Sequence, residues 1–158
     1  DWDLDNLIAE NYKQLNELRT KITSSPKSGR IQNLKNASNG QPNILICDGD
    51  KTLEYQICRA NVSDTIQSVT KSSLYSYLKG LNESNTKKVI EYMDFLGERE
   101  FSNEEQINIS LLLWKCMPGK SEFSQDFIQY LDDLKTDGKP VNFKVPVYMK
   151  TAINFLTK

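Results

Sequence analysis

The chain has 158 residues, enough for one domain with a real core, and its charges nearly cancel to a net −1. That balance argues against whole-domain attraction to nucleic acid or to an anionic membrane, although a local basic patch is compatible with it. Histidine is absent, which removes the commonest general base, the Ser-His and Cys-His nucleophile pairs and the commonest metal ligand.

The opening residues Asp1, Trp2, Asp3 and Leu4 do not read as a secretory signal, and no apolar run reaches the length of a membrane span. A first helix is expected over 3–22. Leu4, Leu7, Ile8, Tyr12, Leu15, Leu18 and Ile22 recur near the helical period, with acidic residues early and Arg19 and Lys21 late, as the helix dipole favours. From 23 to 41 the pattern gives way to Ser, Pro, Gly, Asn and Lys, which reads as a flexible linker. The expected division is an N-terminal helix at 1–24, a flexible basic linker at 25–42 and a helical interaction domain at 43–158.

Residues 43–59 read in two ways. Asp48-Gly49-Asp50 is a turn signal between two apolar runs, which suits a hairpin. It also suits two short helices broken at Gly49, and the fourfold spacing of Leu53 to Ile57 and Tyr55 to Arg59 favours the helices. Ser63 or Asp64 can cap a short segment running to Val69. Helices then follow in series. One carries Leu74, Tyr77, Leu78 and Leu81, and Asn82 reads as a cap. The next carries Val89, Ile90, Met93, Phe95 and Leu96. Ser102 with Glu105 forms a capping box at the head of a helix carrying Ile107, Leu111, Leu112, Leu113 and Trp114, which stops at Pro118-Gly119. A helix over 121–134 presents Phe123, Phe127, Ile128, Leu131 and Leu134. Asp137-Gly138-Lys139-Pro140 breaks it, and Val145-Pro146 opens a closing helix with Tyr148, Met149, Ala152, Ile153 and Leu156 on its apolar stripe. Each greasy face must be buried against a neighbour, so the fold expected is all-α, an antiparallel helical bundle or short helical solenoid.

Little catalytic chemistry can be assembled from these residues. Cys47, Cys58 and Cys116 lack zinc or redox spacing and lie among apolar neighbours, as buried reduced thiols do, which points to cytosol or nucleus. The glycines are scattered singly, without a phosphate loop or a dinucleotide fingerprint. A calcium loop begun at Asp48 would place Arg59 where a bidentate Glu belongs, so a turn is the reading there. Glu98 with Glu100, Glu104 with Glu105, and Asp132 with Asp133 do not converge on a helix surface. No enzyme, cofactor or metal site is expected.

Two features stand above this background. Arg19, Lys21, Lys27, Arg30 and Lys35 fall in a stretch without acids, a candidate RNA or phosphate contact, although no aromatic residue is interleaved to stack on bases. The carboxyl half holds many large rings, and Trp114, Phe123, Phe127, Tyr148 and Phe155 are the candidate partner-binding residues wherever they are exposed. Asn36, Asn61, Asn82 and Asn108 each begin an Asn-x-Ser sequon, the feature that would suit a secreted or viral helical protein. Asn108 falls inside the most apolar helix, where a glycan would block packing.

The order of elements from Ile44 to Leu134 resembles a helical module, the carboxy-terminal domain shared by several WD-repeat proteins of the small-subunit processome. The resemblance rests on Ile44-Leu45-Ile46-Cys47, the acidic turn at 48–50, Leu53 to Cys58, and Asp64-Thr65-Ile66-Gln67-Ser68-Val69 ahead of Leu74 to Leu81. It continues through Val89 to Leu96 and Leu111-Leu112-Leu113-Trp114-Lys115 to Leu131 and Leu134. Phe123-Ser124-Gln125 stands where the family often shows a His-containing segment. The first helix, the basic linker and the closing helix lie outside the match. The resemblance implies a non-enzymatic scaffold of ribosome biogenesis and pre-18S rRNA processing. It would act in the nucleolus, joining other protein subunits of a large ribonucleoprotein assembly by helix–helix contacts, with no cofactor and no membrane.

Overall fold

A computed structural model describes residues 17, 19, 20, 24, 29–49, 52–63, 65–96 and 100–157. Among them regular structure is all α-helical: α1 Gly29–Ser38, α2 Leu53–Asn61, α3 Ile66–Thr70, α4 Ser73–Gly80, α5 Ser84–Leu96, α6 Asn103–Lys115, α7 Lys120–Thr136 and α8 Val147–Leu156. An isolated antiparallel bridge joins Thr65 to Glu100.

Short polar side chains set where helices begin. Thr52, Thr65 and Ser72 accept the amides of Tyr55, Ser68 and Tyr75 and so satisfy N–H groups that α2, α3 and α4 leave without intrahelical partners. At α6 the expected capping box is present. The Ser102 hydroxyl accepts the Glu105 amide at 3.2 Å, and the Glu105 carboxylate accepts the Ser102 amide at 2.9 Å. The cap of α3 is Thr65, not Ser63 or Asp64. Asn82 sits beyond the end of α4 at φ 56°, a left-handed position that asparagine tolerates. The cap expected there is thus at the carboxyl end of α4.

The helices pack in the spatial order α2, α6, α5, α4, α7, with α3 against α4. α2 and α6 run antiparallel. Tyr55 near the start of α2 meets Trp114 at the end of α6 edge-on at 6.1 Å. At the other end Arg59 donates to Asn103 at 2.7 Å and to Gln106 at 3.2 Å. Leu74, Leu78, Val89, Met93, Leu111 and Leu112 form the centre of the core with at most 1% exposure. A second part of the core is aromatic. Phe127 lies 5.2 Å from each of Tyr77, Phe123 and Phe143 by ring centroids.

The residues between α7 and α8 form a strap across the core. Gly138, at φ 68°, turns the chain out of α7. Asn142 then exchanges bonds with Ser73, donating its amide to the hydroxyl at 2.9 Å and accepting the Ser73 amide at 2.8 Å. Asn61 fixes the next position. Its Oδ1 accepts the Lys144 amide at 2.8 Å, and its Nδ2 donates to the Lys144 and Ile57 carbonyls, each at 2.9 Å. A single buried side chain thereby holds both backbone groups of Lys144.

Three sequence expectations need correction. The stretch 25–42, expected as a flexible basic linker, contains helix α1. Ile31 and Lys35 are half-buried one turn apart, Gln32 bonds Asn36 across a turn, and Lys35 pairs with Asp48 ahead of α2. In 43–59 the second of the two short helices exists as α2, whereas 44–49 has no regular structure and no hairpin forms. Pro146 is the residue flanking α8, not part of its first turn. The helix expected at 3–22 lies outside the described residues except at 17, 19 and 20, which are helical.

Candidate functional site

α8 is strongly apolar, yet none of its residues is buried. Tyr148, Met149, Ala152 and Phe155 are half-buried along the face it turns toward the body, one helical turn after another. Leu156 continues that face but is 82% exposed, and Val147 and Ile153 are 80% and 52% exposed. Monomer packing therefore covers only part of the apolar surface of α8.

The start of α8 forms one wall of a cleft of about 440 Å³. Gln56, Arg59 and Ala60 of α2 and the Asp48-Gly49 segment complete it. Gly49 is closely approached there by side chains. A Cβ on it would lie 3.0 Å from both Tyr148 Cε1 and Gln56 Cγ. Burial, with a smaller contribution from the Glu54 charge, raises the Tyr148 phenol above its ordinary value, so it stays neutral and can donate a hydrogen bond.

The other candidate residues are placed as follows. Trp114 is half-buried on the α2–α6 seam, with the Lys115 ammonium 5.0 Å from its ring centroid. Phe123 and Phe127 are 3% and 4% exposed and belong to the core, so a partner cannot reach them without unfolding α7. Their spacing of four on one helix is equally the spacing of a core stripe, which is why sequence could not separate the roles. Of the basic residues, Arg19 pairs with Glu104 and Lys35 with Asp48, while Arg30 is exposed. Lys21 and Lys27 lie outside the described residues. The structure brings Tyr148 and Phe155 together on α8, and of the basic residues Lys35 reaches Asp48, which lines the cleft with Tyr148.

Nucleophile chemistry has little support. Cys58 and Cys116 are buried, and burial above all pushes the Cys58 thiol well up and the Cys116 thiol to about 12, so both are protonated at neutral pH. Among the described residues no group of carboxylates and thiols could hold a metal ion, and no helix is long and apolar enough to cross a membrane. The sequons also separate by burial. Asn61 is 5% exposed with its Nδ2 already donating twice, whereas Asn36 and Asn82 are exposed. Comparison with known proteins finds no matching family model, no matching curated protein and no matching solved structure.

Proposed function

We propose that this chain is a helical protein–protein interaction module without catalysis, and that α8 is its docking element. The observation that carries the reading is the apolar surface that α8 leaves uncovered: Leu156 is 82% exposed at the edge of its inner face, and Val147 is 80% exposed on the other side of the helix. Large apolar side chains clustered on one helix are the usual material of a helix–helix interface. The strap supports the same reading, because Asn61 and Ser73 fix the chain just ahead of α8 and hold that helix on the body. On the resemblance of 44–134 to the processome module, the partner is another protein subunit of a pre-ribosomal ribonucleoprotein assembly in the nucleolus.

The test is affinity purification of the tagged chain from nuclear extract, with and without ribonuclease, beside the variant Val147→Asp/Leu156→Asp. Recovery of small-subunit processome proteins that survives ribonuclease and is lost in the variant is the expected result. The same proteins recovered with the variant would remove α8 as the docking element. No enrichment over a control bait would sink the assembly reading.

A further inference from the structure

We propose that a second, polar pocket, at the junction of α2, α3, α4 and the strap, binds a phosphomonoester dianion. The pocket has a volume of about 180 Å³ and presents Lys71 and Lys144 together with Ser63, Ser68, Ser72 and Asn142. At ~30 Å³ per water molecule that volume holds roughly six waters, room for a tetrahedral oxyanion with part of its hydration shell. No carboxylate lines it among the described residues, in a chain whose acids slightly outnumber its bases. Asp64, next to Ser63 in sequence, lies outside the described residues.

Two ammonium groups and two hydroxyls can turn toward a ligand. Lys71 and Lys144 are exposed, and neither ammonium takes part in an ion pair among the described residues. The Ser68 and Ser72 hydroxyls are both used as acceptors, from Thr65 Oγ1 at 3.0 Å and from the Tyr75 amide at 3.1 Å, so each keeps its own hydrogen to donate. Ser72 is the cap of α4, which places the pocket at the positive end of that helix's dipole.

The frame around these donors is rigid. Phe143 packs on Phe127, while its neighbours Asn142 and Lys144 line the pocket. Asn61 holds the Lys144 backbone at both its amide and its carbonyl, and Asn142 is held by Ser73 and by the Lys71 carbonyl at 3.1 Å. The lysine side chains are exposed, while the backbone that carries them is tied by these bonds. A single concave site with two cations suits one doubly charged phosphoryl group. A nucleic-acid backbone asks for a track of cations and for aromatic platforms, and no aromatic residue lines this pocket.

The experiment is an amide NMR titration of the whole chain with inorganic phosphate, O-phospho-L-serine, and a phosphoserine peptide beside its unphosphorylated form, against sodium chloride at matched ionic strength. The expected result is phosphate-dependent shifts at Ser68, Lys71, Ser72 and Lys144. Lys71→Gln and Lys144→Gln should each weaken O-phospho-L-serine binding by roughly tenfold, as the loss of one charge-assisted hydrogen bond predicts. Both lysines are exposed, so the urea midpoint should not move and folding is not confounded. Tighter binding of the phosphopeptide than of O-phospho-L-serine would assign the phosphoryl group to a protein, and equal affinity would assign it to a small phosphate ester. Equal shifts with chloride, or a double variant that binds as the parent does, overturns the proposal. So does an oligouridine that saturates these residues when O-phospho-L-serine does not.

Discussion

Replacing Asn61 by alanine isolates the strap, because this one side chain holds the Lys144 backbone at both its amide and its carbonyl. The Lys144 amide at 2.8 Å and the Lys144 carbonyl at 2.9 Å lose their partner, and the Ile57 carbonyl loses an additional donor at 2.9 Å. A hydrogen bond contributes about 1 kcal/mol net, and a buried group left unpaired costs about 1–3 kcal/mol. Lys144 is exposed enough for water to replace part of what its backbone loses. The expected cost of Asn61→Ala is therefore about 2–3 kcal/mol, a sizeable part of the roughly 5–15 kcal/mol that stabilises an ordinary domain. At a urea dependence of about 2 kcal/mol per molar, the unfolding midpoint should fall by about 1 M. Asn61→Asp is the sharper variant. It has nearly the same shape and can still accept the Lys144 amide, but it turns a carboxylate oxygen toward two carbonyl oxygens. It should cost at least as much as alanine. Amide hydrogen exchange at Lys144 should quicken in both variants, while exchange in α6 should change only by the global loss of stability. A midpoint shift below about 0.2 M with unchanged protection at Lys144 would refute the view that Asn61 bolts the strap.

Other substitutions separate core from surface. Phe127→Ala should cost about 3–5 kcal/mol in urea unfolding, since the ring is 4% exposed and central to the aromatic cluster, and a cost under 1 kcal/mol would contradict that placement. Val147→Asp/Leu156→Asp should leave the unfolding midpoint within about 0.5 kcal/mol of the parent, because both side chains project into solvent. A larger loss would mean the α8 face is held by the chain itself. The Cys116 thiol has an ordinary value of 9.0 and is raised to about 12 by burial. The folded state therefore keeps its proton when the unfolded state has lost it. The resulting stability is complete below pH 9 and is lost as pH rises toward about 12, at up to ~1.4 kcal/mol per pH unit for one thiol. Urea midpoints across that interval should fall, and less steeply in Cys116→Ala. In a thiol-reagent assay on the native chain, half-buried Cys47 should react first and Cys58 and Cys116 only on unfolding.

Much of the fold was legible in sequence because its signals are local. Apolar residues at helical spacing predicted α4 to α8, and the capping box at Ser102 and Glu105 marked where α6 begins. Gly138 marked the end of α7 through a conformation that only the local chain must satisfy. Where local preference is weak, the sequence was ambiguous. In α1 the ion pair from Lys35 to Asp48 joins residues far apart in the chain, and composition alone read that stretch as a linker. Residues 44–49 are apolar enough for a helix or a strand, but Gly49 is pressed against Tyr148 of α8, a contact no local pattern contains.

The candidate sites divide in the same way. Sequence by itself determined that the chain is helical, nearly neutral, without histidine and rich in large carboxyl-terminal rings. Tertiary structure decided which rings are available, since a stripe of phenylalanines has one spacing whether it faces a core or a partner. It buried Phe123 and Phe127 and left α8 partly uncovered. Only the folded chain brings Asn61 to Lys144 and Lys71 to Asn142, because 83 and 71 residues separate the partners in sequence. Hydrogen bonds between residues so distant follow from packing, and periodicity carries no trace of them.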